Sequence, residues 1–157
     1  MKKNNIFKRL FDLLFSLFLL ITLSPIIVII SIFVLLIDGF PIFFIQKRSG
    51  FKGKMFYLYK FRTMKVEKKS SDRKRVTSFG KLLRNFKLDE IPQLYNVLIG
   101  DLSFVGPRPL LPEYNKFYNN QQKLRLTVLP GITGWAQINE KRNTTWNKRI
   151  NLDIWYV

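Results

Sequence analysis

The chain contains no cysteine and no histidine. Without cysteine there are no disulfides, thiolate metal sites or thiol nucleophiles. Without histidine the commonest general base, the Ser-His-Asp arrangement and imidazole metal ligation are excluded as well. Acidic residues are scarce too, 10 Asp+Glu against 27 Lys+Arg, for a formal net charge of +17 in 157 residues. Any nucleophile is therefore Asp, Glu, Ser, Thr, Lys or Tyr. Any bound metal is a hard cation held by oxygens, Mg²⁺ being the default. So positive a balance calls for an anionic partner: nucleic acid, an anionic membrane surface or a phosphorylated substrate. The length is that of about one domain.

Charge is also absent from Leu13 to Ile37. As a straight helix this run is long enough to cross a bilayer core of about 30 Å. It is too long for a signal peptide, and no small-residue cleavage site follows. Ser24-Pro25 lies near its middle. Proline removes a backbone donor and clashes with the carbonyl of Ile21, four residues back. The Ser24 hydroxyl can bond a freed carbonyl in the preceding turn, which makes a bend tolerable in lipid. Both flanks are basic, with Lys2, Lys3, Lys8 and Arg9 before the run and Lys47, Arg48, Lys52 and Lys54 after it. The positive-inside rule then puts both ends on the cytoplasmic face. A re-entrant helix-break-helix meets that condition. A spanning anchor does not, although proline is common in spanning helices, and a buried core helix is a third reading. Asp12 and Asp38 bracket the run, and Lys8-Arg9 are expected at headgroup phosphates.

The remainder reads as a small basic globular part. Asp38 to Pro41 is a turn, Ile42 to Ile45 a short strand, Gly50 to Gly53 a hairpin loop and Met55 to Arg62 a second strand. Lys65 to Arg75 is expected to be a mobile loop. Phe79, Leu82, Leu83 and Phe86 follow helical spacing, with Lys81, Arg84 and Lys87 on the polar side; Ile91, Leu94, Tyr95 and Leu98 mark a second helix that Gly100 ends. Gly131 to Ile138 is expected to be a loop entering a strand.

Between the two helices sits Leu88-Asp89-Glu90, an acidic pair inside cationic sequence. A carboxylate can attack phosphorus or hold a divalent metal while arginines neutralise phosphate oxygens. The plainer reading makes Asp89 the N-cap of the helix starting near Glu90, and the two roles are compatible. Pro107-Arg108-Pro109 holds an arginine on a stiff, extended backbone, suited to gripping a phosphate or simply to forming a rigid loop. Lys60, Arg62 and Arg84 can complete a diphosphate cradle. Asp101 and Asp153 are candidate metal ligands, with a turn role favoured for Asp101. Trp135 is a core residue by default, and a base or sugar platform otherwise.

Together these stretches resemble the bacterial sugar transferases, the monotopic phosphoglycosyl transferases, in their minimal form. The resemblance rests on Phe7 to Asp12, Ser24-Pro25, Lys60 to Met64, Val76 to Arg84, Leu88 to Leu94, Asn96 to Leu98, Gly100 to Pro109, Pro130 to Gln137 and Leu152-Asp153. It implies an α+β protein, with a re-entrant membrane helix at 1–38 broken at Ser24 and Pro25. A catalytic domain of short strands and amphipathic helices then follows at 39–157, on the cytoplasmic face of the bacterial inner membrane.

The implied reaction moves a sugar-1-phosphate from a UDP-sugar to polyprenyl phosphate and releases UMP, with later glycan-pathway glycosyltransferases as possible partners and no nucleic acid. Asp89 matches the nucleophile that forms a phosphosugar-aspartyl intermediate, and Glu90 its dyad partner near Mg²⁺. Lys60, Arg84 and Arg108 match basic positions at the phosphates, and Asp153 is carried over as a metal ligand beside Asp89 and Glu90.

Three departures stand out. Leu129 replaces an arginine of the family pattern, Asn139-Glu140-Lys141-Arg142 replaces an Asn-Gly-Arg, and the chain stops at Tyr156-Val157, where a longer natural sequence is expected. The competing readings are a membrane-tethered basic binding protein and a catalytically degenerate paralogue.

Overall fold

The computed structural model describes residues 6–66, 75–140 and 144–157. Lys2, Lys3, Lys141, Arg142 and most of the expected 65–75 loop lie outside them. Two helices open the chain, α1 (Ile6–Thr22) and α2 (Ser24–Asp38), meeting at Leu23 with a bend of 60°. The break follows from Pro25, and the Ser24 hydroxyl donates to the Ile21 carbonyl at 2.7 Å, so the acceptor orphaned by proline is satisfied locally. Among the described residues no single helix is long and apolar enough to cross a membrane; the bent pair together has the length and composition of a broken span or a re-entrant loop.

An antiparallel hairpin follows, β1 (Phe43–Ser49) and β2 (Met55–Phe61), in register from Phe43 opposite Phe61 to Ser49 opposite Met55. β1 extends four residues beyond the apolar run that marked it, through Gln46-Lys47-Arg48-Ser49, because ladder bonds to β2 do not depend on side-chain polarity. Next come α3 (Ser78–Asn85), a 3₁₀ turn over Leu88–Glu90 and α4 (Gln93–Ile99), which Gly100 ends at φ 93°. β3 (Ser103–Val105) pairs in parallel with β4 (Gly131–Thr133). The segment expected to enter a strand does the reverse: β4 is only three residues long, and Trp135–Asn139 form α5. Trp146–Tyr156 form α6. The architecture is α+β.

One buried cluster joins Ile30 and Val34 of α2 to Phe61 and Leu83, so the second apolar helix is seated on the polar part. Side chains of this size contribute about 1.5–3 kcal/mol each when fully buried. A second cluster, Phe56, Leu58, Val97 and Leu102, fixes the hairpin to α4. Asn96 stitches the same elements, accepting from the Tyr59 amide at 3.1 Å and donating to the Tyr57 carbonyl at 2.7 Å.

α1 is pinned by its polar residues. Arg9 donates to the Val97 and Leu98 carbonyls at 2.6 and 2.7 Å, capping the end of α4. Lys8 donates to the Val105 carbonyl at 3.0 Å, and buried Asp12 accepts from the Phe104 amide at 3.1 Å. Lys8 and Arg9, expected at headgroup phosphates, donate here to the protein's own carbonyls. Of the expected 65–75 loop, the described ends pair, the Lys65 amide donating to the Arg75 carbonyl at 2.9 Å, with Met64 bridging to Val76 just outside it.

Candidate active site

Asp89 and Glu90 sit in the 3₁₀ turn between α3 and α4. The turn is set by Lys87, whose left-handed backbone (φ 59°) ends one helical path and starts another. Such a conformation costs a non-glycine residue of order 1 kcal/mol or more and persists where the surroundings impose it. Asp89 is not the N-cap of α4: that position is Pro92, with no side-chain cap. The carboxylate is therefore not consumed by the helix.

Lys60, near the end of β2, reaches Glu90 Oε1 at 2.6 Å. Burial raises the Glu90 pKa, but the Lys60 hydrogen bond and charge, helped by Arg108 and Lys87, leave it below the usual range. Asp89 goes the other way. Burial pushes its pKa up and neighbouring Glu90 adds to that, against the pull of Lys60 and Arg84. Two adjacent carboxylates are thus driven apart, one held firmly ionised and the other kept poorly solvated, a pattern typical of functional dyads.

α3 brings Arg84 to the site through a close approach that only glycine permits. A Cβ on Gly80 would lie 2.2 Å from the Thr63 carbonyl oxygen. At this distance Arg84 Nε donates to Thr63 Oγ1 at 2.8 Å.

Lys60, Arg84, Lys87, Asp89 and Glu90 line one cavity of about 980 Å³. Arg62 also lines it, but its Nη1 donates to the Phe40 carbonyl at 3.0 Å and its Nη2 to the Asp38 and Gly39 carbonyls. Buried Arg62 thus closes the turn after α2 and has only Nε left over. Arg108 lines a smaller adjoining pocket with Arg48, Lys60 and Glu90.

Asp153 is placed differently from the sequence expectation. It is buried on α6 and paired with Arg125, Nε and Nη2 at 3.1 and 2.8 Å. Among the described residues no three acidic side chains come together as a metal cluster, so Asp153 does not join Asp89 and Glu90 as a ligand; the buried guanidinium already occupies it. Asp101 lies in the turn after α4, its amide bonded to the Asn96 carbonyl at 2.9 Å. Trp135 stacks on Trp155 at 4.6 Å, outside the cavity, and Leu129 does not line it either.

Sequence reading missed two residues here. Arg48 counted only as flanking charge, yet it touches both pockets, bonds Gln46 Oε1 at 2.6 Å and keeps a buried Nε without a partner. Its position on the same strand face as Phe44 and Gln46 was the available signal. Arg125 carried none: its partners Asp153, Tyr118 and the Arg108 carbonyl are distant or featureless in sequence.

The arrangement is a carboxylate nucleophile candidate, a Lys-clamped carboxylate and several cations around a cavity large enough for a phosphorylated ligand. The family model for bacterial sugar transferases matches residues 3–157. The chain is 52% identical over 97% of its length to the uncharacterized sugar transferase EpsL of Bacillus subtilis (strain 168), covering 78% of that protein. It is 39% identical to the UDP-glucose:undecaprenyl-phosphate glucose-1-phosphate transferase of Xanthomonas campestris pv. campestris, and 41% to the protein of that name from Klebsiella pneumoniae. It spans only 34% and 36% of those two longer relatives. On the strength of the match along its whole catalytic core, the chain belongs to the bacterial sugar transferase family.

Proposed function

We propose that this protein transfers a sugar-1-phosphate from a UDP-sugar to polyprenyl phosphate at a membrane surface. The observation that carries the reading is buried Asp89 beside the 2.6 Å Lys60–Glu90 pair, opening on a cavity that Arg84 and Lys87 also line. A charge-only binding protein has no use for a carboxylate there, since it repels phosphate. A nucleophile does.

In this reading an Asp89 carboxylate oxygen attacks the β-phosphorus of the UDP-sugar. The bond from that phosphorus to the bridging oxygen breaks, and UMP leaves with the electron pair. An oxygen of polyprenyl phosphate then attacks the same phosphorus, the aspartyl oxygen–phosphorus bond breaks, and the carboxylate is restored. Covalent catalysis splits one displacement between two bulky anions into two at a single site. Lys60 orients Glu90 and keeps it charged, while Arg84 and Arg108 offset phosphate charge. Arg62 acts indirectly by holding the turn after α2.

Mg²⁺ fits the donor set, because this ion is commonly held by one or two carboxylates together with substrate phosphates. Asp89 and Glu90 would hold it, and it would supply charge neutralisation on the diphosphate. The bent α1–α2 pair enters and leaves the same leaflet, with both basic flanks on the cytoplasmic side.

The test is UMP release by membranes carrying the protein, given polyprenyl phosphate, Mg²⁺ and a panel of UDP-sugars, with Asp89→Asn in parallel. Release by the wild type alone, with one preferred sugar, supports the reading and names the donor. Equal release by both forms removes Asp89 as nucleophile. No release from folded, membrane-bound wild type favours the degenerate paralogue.

A further inference from the structure

The cavity beside Asp89 combines a strip of apolar side chains with a largely cationic lining. In the β1–β2 register Phe44 lies directly opposite Lys60, and Arg48 opposite Phe56. Cross-strand partners, and residues two apart, share a face. One strand face therefore runs from Phe44, beside the lysine that clamps Glu90, through Gln46 to Arg48.

At the Arg48 end the lining is polar and cationic, and a buried guanidinium Nε lacks a partner, as expected of a surface built for an anion. Toward Phe44 a strip of apolar side chains lines the cavity beside the cations Lys60 and Arg62: Pro41, Phe44 and Met64, with Phe43 and Ile45, which alternate to the other face of β1, lining the same cavity. Phe44 and Ile45 are 48% and 53% exposed. Large apolar side chains lining a cavity and left open to solvent mark a ligand-contacting wall. That wall adjoins the point where α2 ends, at Asp38, so it lies where the apolar helix pair meets the polar part.

We infer that the Phe44–Ile45 wall is the subsite for the first apolar units of the lipid-phosphate acceptor, its chain running from the Lys60–Glu90 pair toward the end of α2. The inference rests on the transferase reading above and adds where the acceptor lies. It also follows from the two half-reactions. Both take place at one phosphorus, and an in-line displacement puts the leaving UMP and the incoming acceptor phosphate opposite Asp89 in turn. The two phosphates share a position, so what separates donor from acceptor is where their remainders go. A uridine has hydrogen-bonding edges suited to the Arg48 end; an isoprenoid has none and is matched by phenyl and isobutyl-sized surface.

The experiment compares Phe44→Ser and Ile45→Ser with wild type in two assays. Exchange of labelled UMP into UDP-sugar, without acceptor, reports the first half-reaction alone and doubles as a check of folding. Full turnover over a range of long-chain polyprenyl phosphate gives the acceptor KM. Phe117→Ser, an exposed aromatic outside the cavity, controls for general loss of apolar surface, and Phe44→Leu retains an apolar wall.

The expected result is wild-type exchange in all variants and an acceptor KM raised about tenfold by each serine, a loss typical of one apolar contact. Phe44→Leu and Phe117→Ser should stay near wild type. An unchanged acceptor KM in both serine variants, or an equal rise in Phe117→Ser, overturns the subsite. Should one serine variant lose exchange, the other and Phe44→Leu decide. Absence of exchange in the wild type is a different failure: it removes the aspartyl intermediate.

Discussion

Arg125 donates a hydrogen bond to the backbone carbonyl of Arg108 at 2.7 Å. The same guanidinium is held by Asp153 at 2.8 Å and donates to the Tyr118 hydroxyl at 2.9 Å. A basic loop at the site is thereby fixed from behind by the last helix. Removing one partner of a buried ion pair leaves the other charged and unsolvated, at about 3–5 kcal/mol. Asp153→Ala should lower the thermal midpoint by that equivalent, and Asp153→Leu combined with Arg125→Met should recover most of it. UMP release by the double variant should stay low, because the Arg108 carbonyl has lost its donor. Thermal melts and turnover on the same preparations check both parts.

Asp89 should trade stability for reactivity. Its folded pKa is raised, chiefly by burial, so between the unfolded and folded values the native state binds more protons and stability falls as pH rises. At neutral pH the ionised carboxylate is a net burden on the fold. Asp89→Asn is expected to melt higher than wild type at pH 7, with the difference vanishing below the ordinary aspartate pKa of about 3.9, while transfer falls by three orders of magnitude or more. A lower melting temperature for the variant at pH 7 contradicts this.

The acid limb of activity should belong to the same group. kcat/KM should drop on acidification at a pH above that of an ordinary aspartate, since only the ionised carboxylate attacks. Glu90 is one of the groups raising that pKa and occupies Lys60. Glu90→Gln removes a negative neighbour and frees a positive one. The acid limb of the residual UMP exchange should therefore move to lower pH, and a move upward counts against the assignment.

Gly80 tests how tightly the site depends on helix approach. A Cβ there meets the Thr63 backbone at 2.2 Å, which the segment just after β2 cannot relieve cheaply. Gly80→Ala should destabilise by about 1–3 kcal/mol, despite alanine's better helix propensity, and should weaken UMP exchange by displacing Arg84. Denaturant melts of this variant beside Lys81→Ala, on the exposed face, separate the clash from a general helix effect.

The absence of cysteine makes the helix bend directly measurable. Single Ile6→Cys and Lys52→Cys variants, treated with a membrane-impermeant maleimide in inverted vesicles and in spheroplasts, should label from the same side. Adding Pro25→Ala restores a backbone donor and removes the clash at Ile21, so a straightened helix should move the Ile6→Cys label to the opposite face. Labelling from opposite sides in the parent would be falsified re-entrance, a spanning helix in its place.

Much was determined by sequence alone. The break at Ser24-Pro25, both hairpin strands, α3, α4 and the Gly100 stop were legible because each depends on neighbours within a few residues: a missing amide, side-chain alternation, helical spacing, a left-handed glycine. Leu88-Asp89-Glu90 was legible because acids are scarce in so basic a chain. Tertiary structure decided what those residues do together. It turned Lys8 and Arg9 inward to cap backbone, gave Arg62 to the carbonyls after α2 and Asp153 to Arg125, and put Arg48 at the site. A guanidinium or carboxylate takes whichever buried partner the fold brings within about 3 Å, and the chain separation between such partners, 28 residues for Arg125 and Asp153, leaves no local pattern to read.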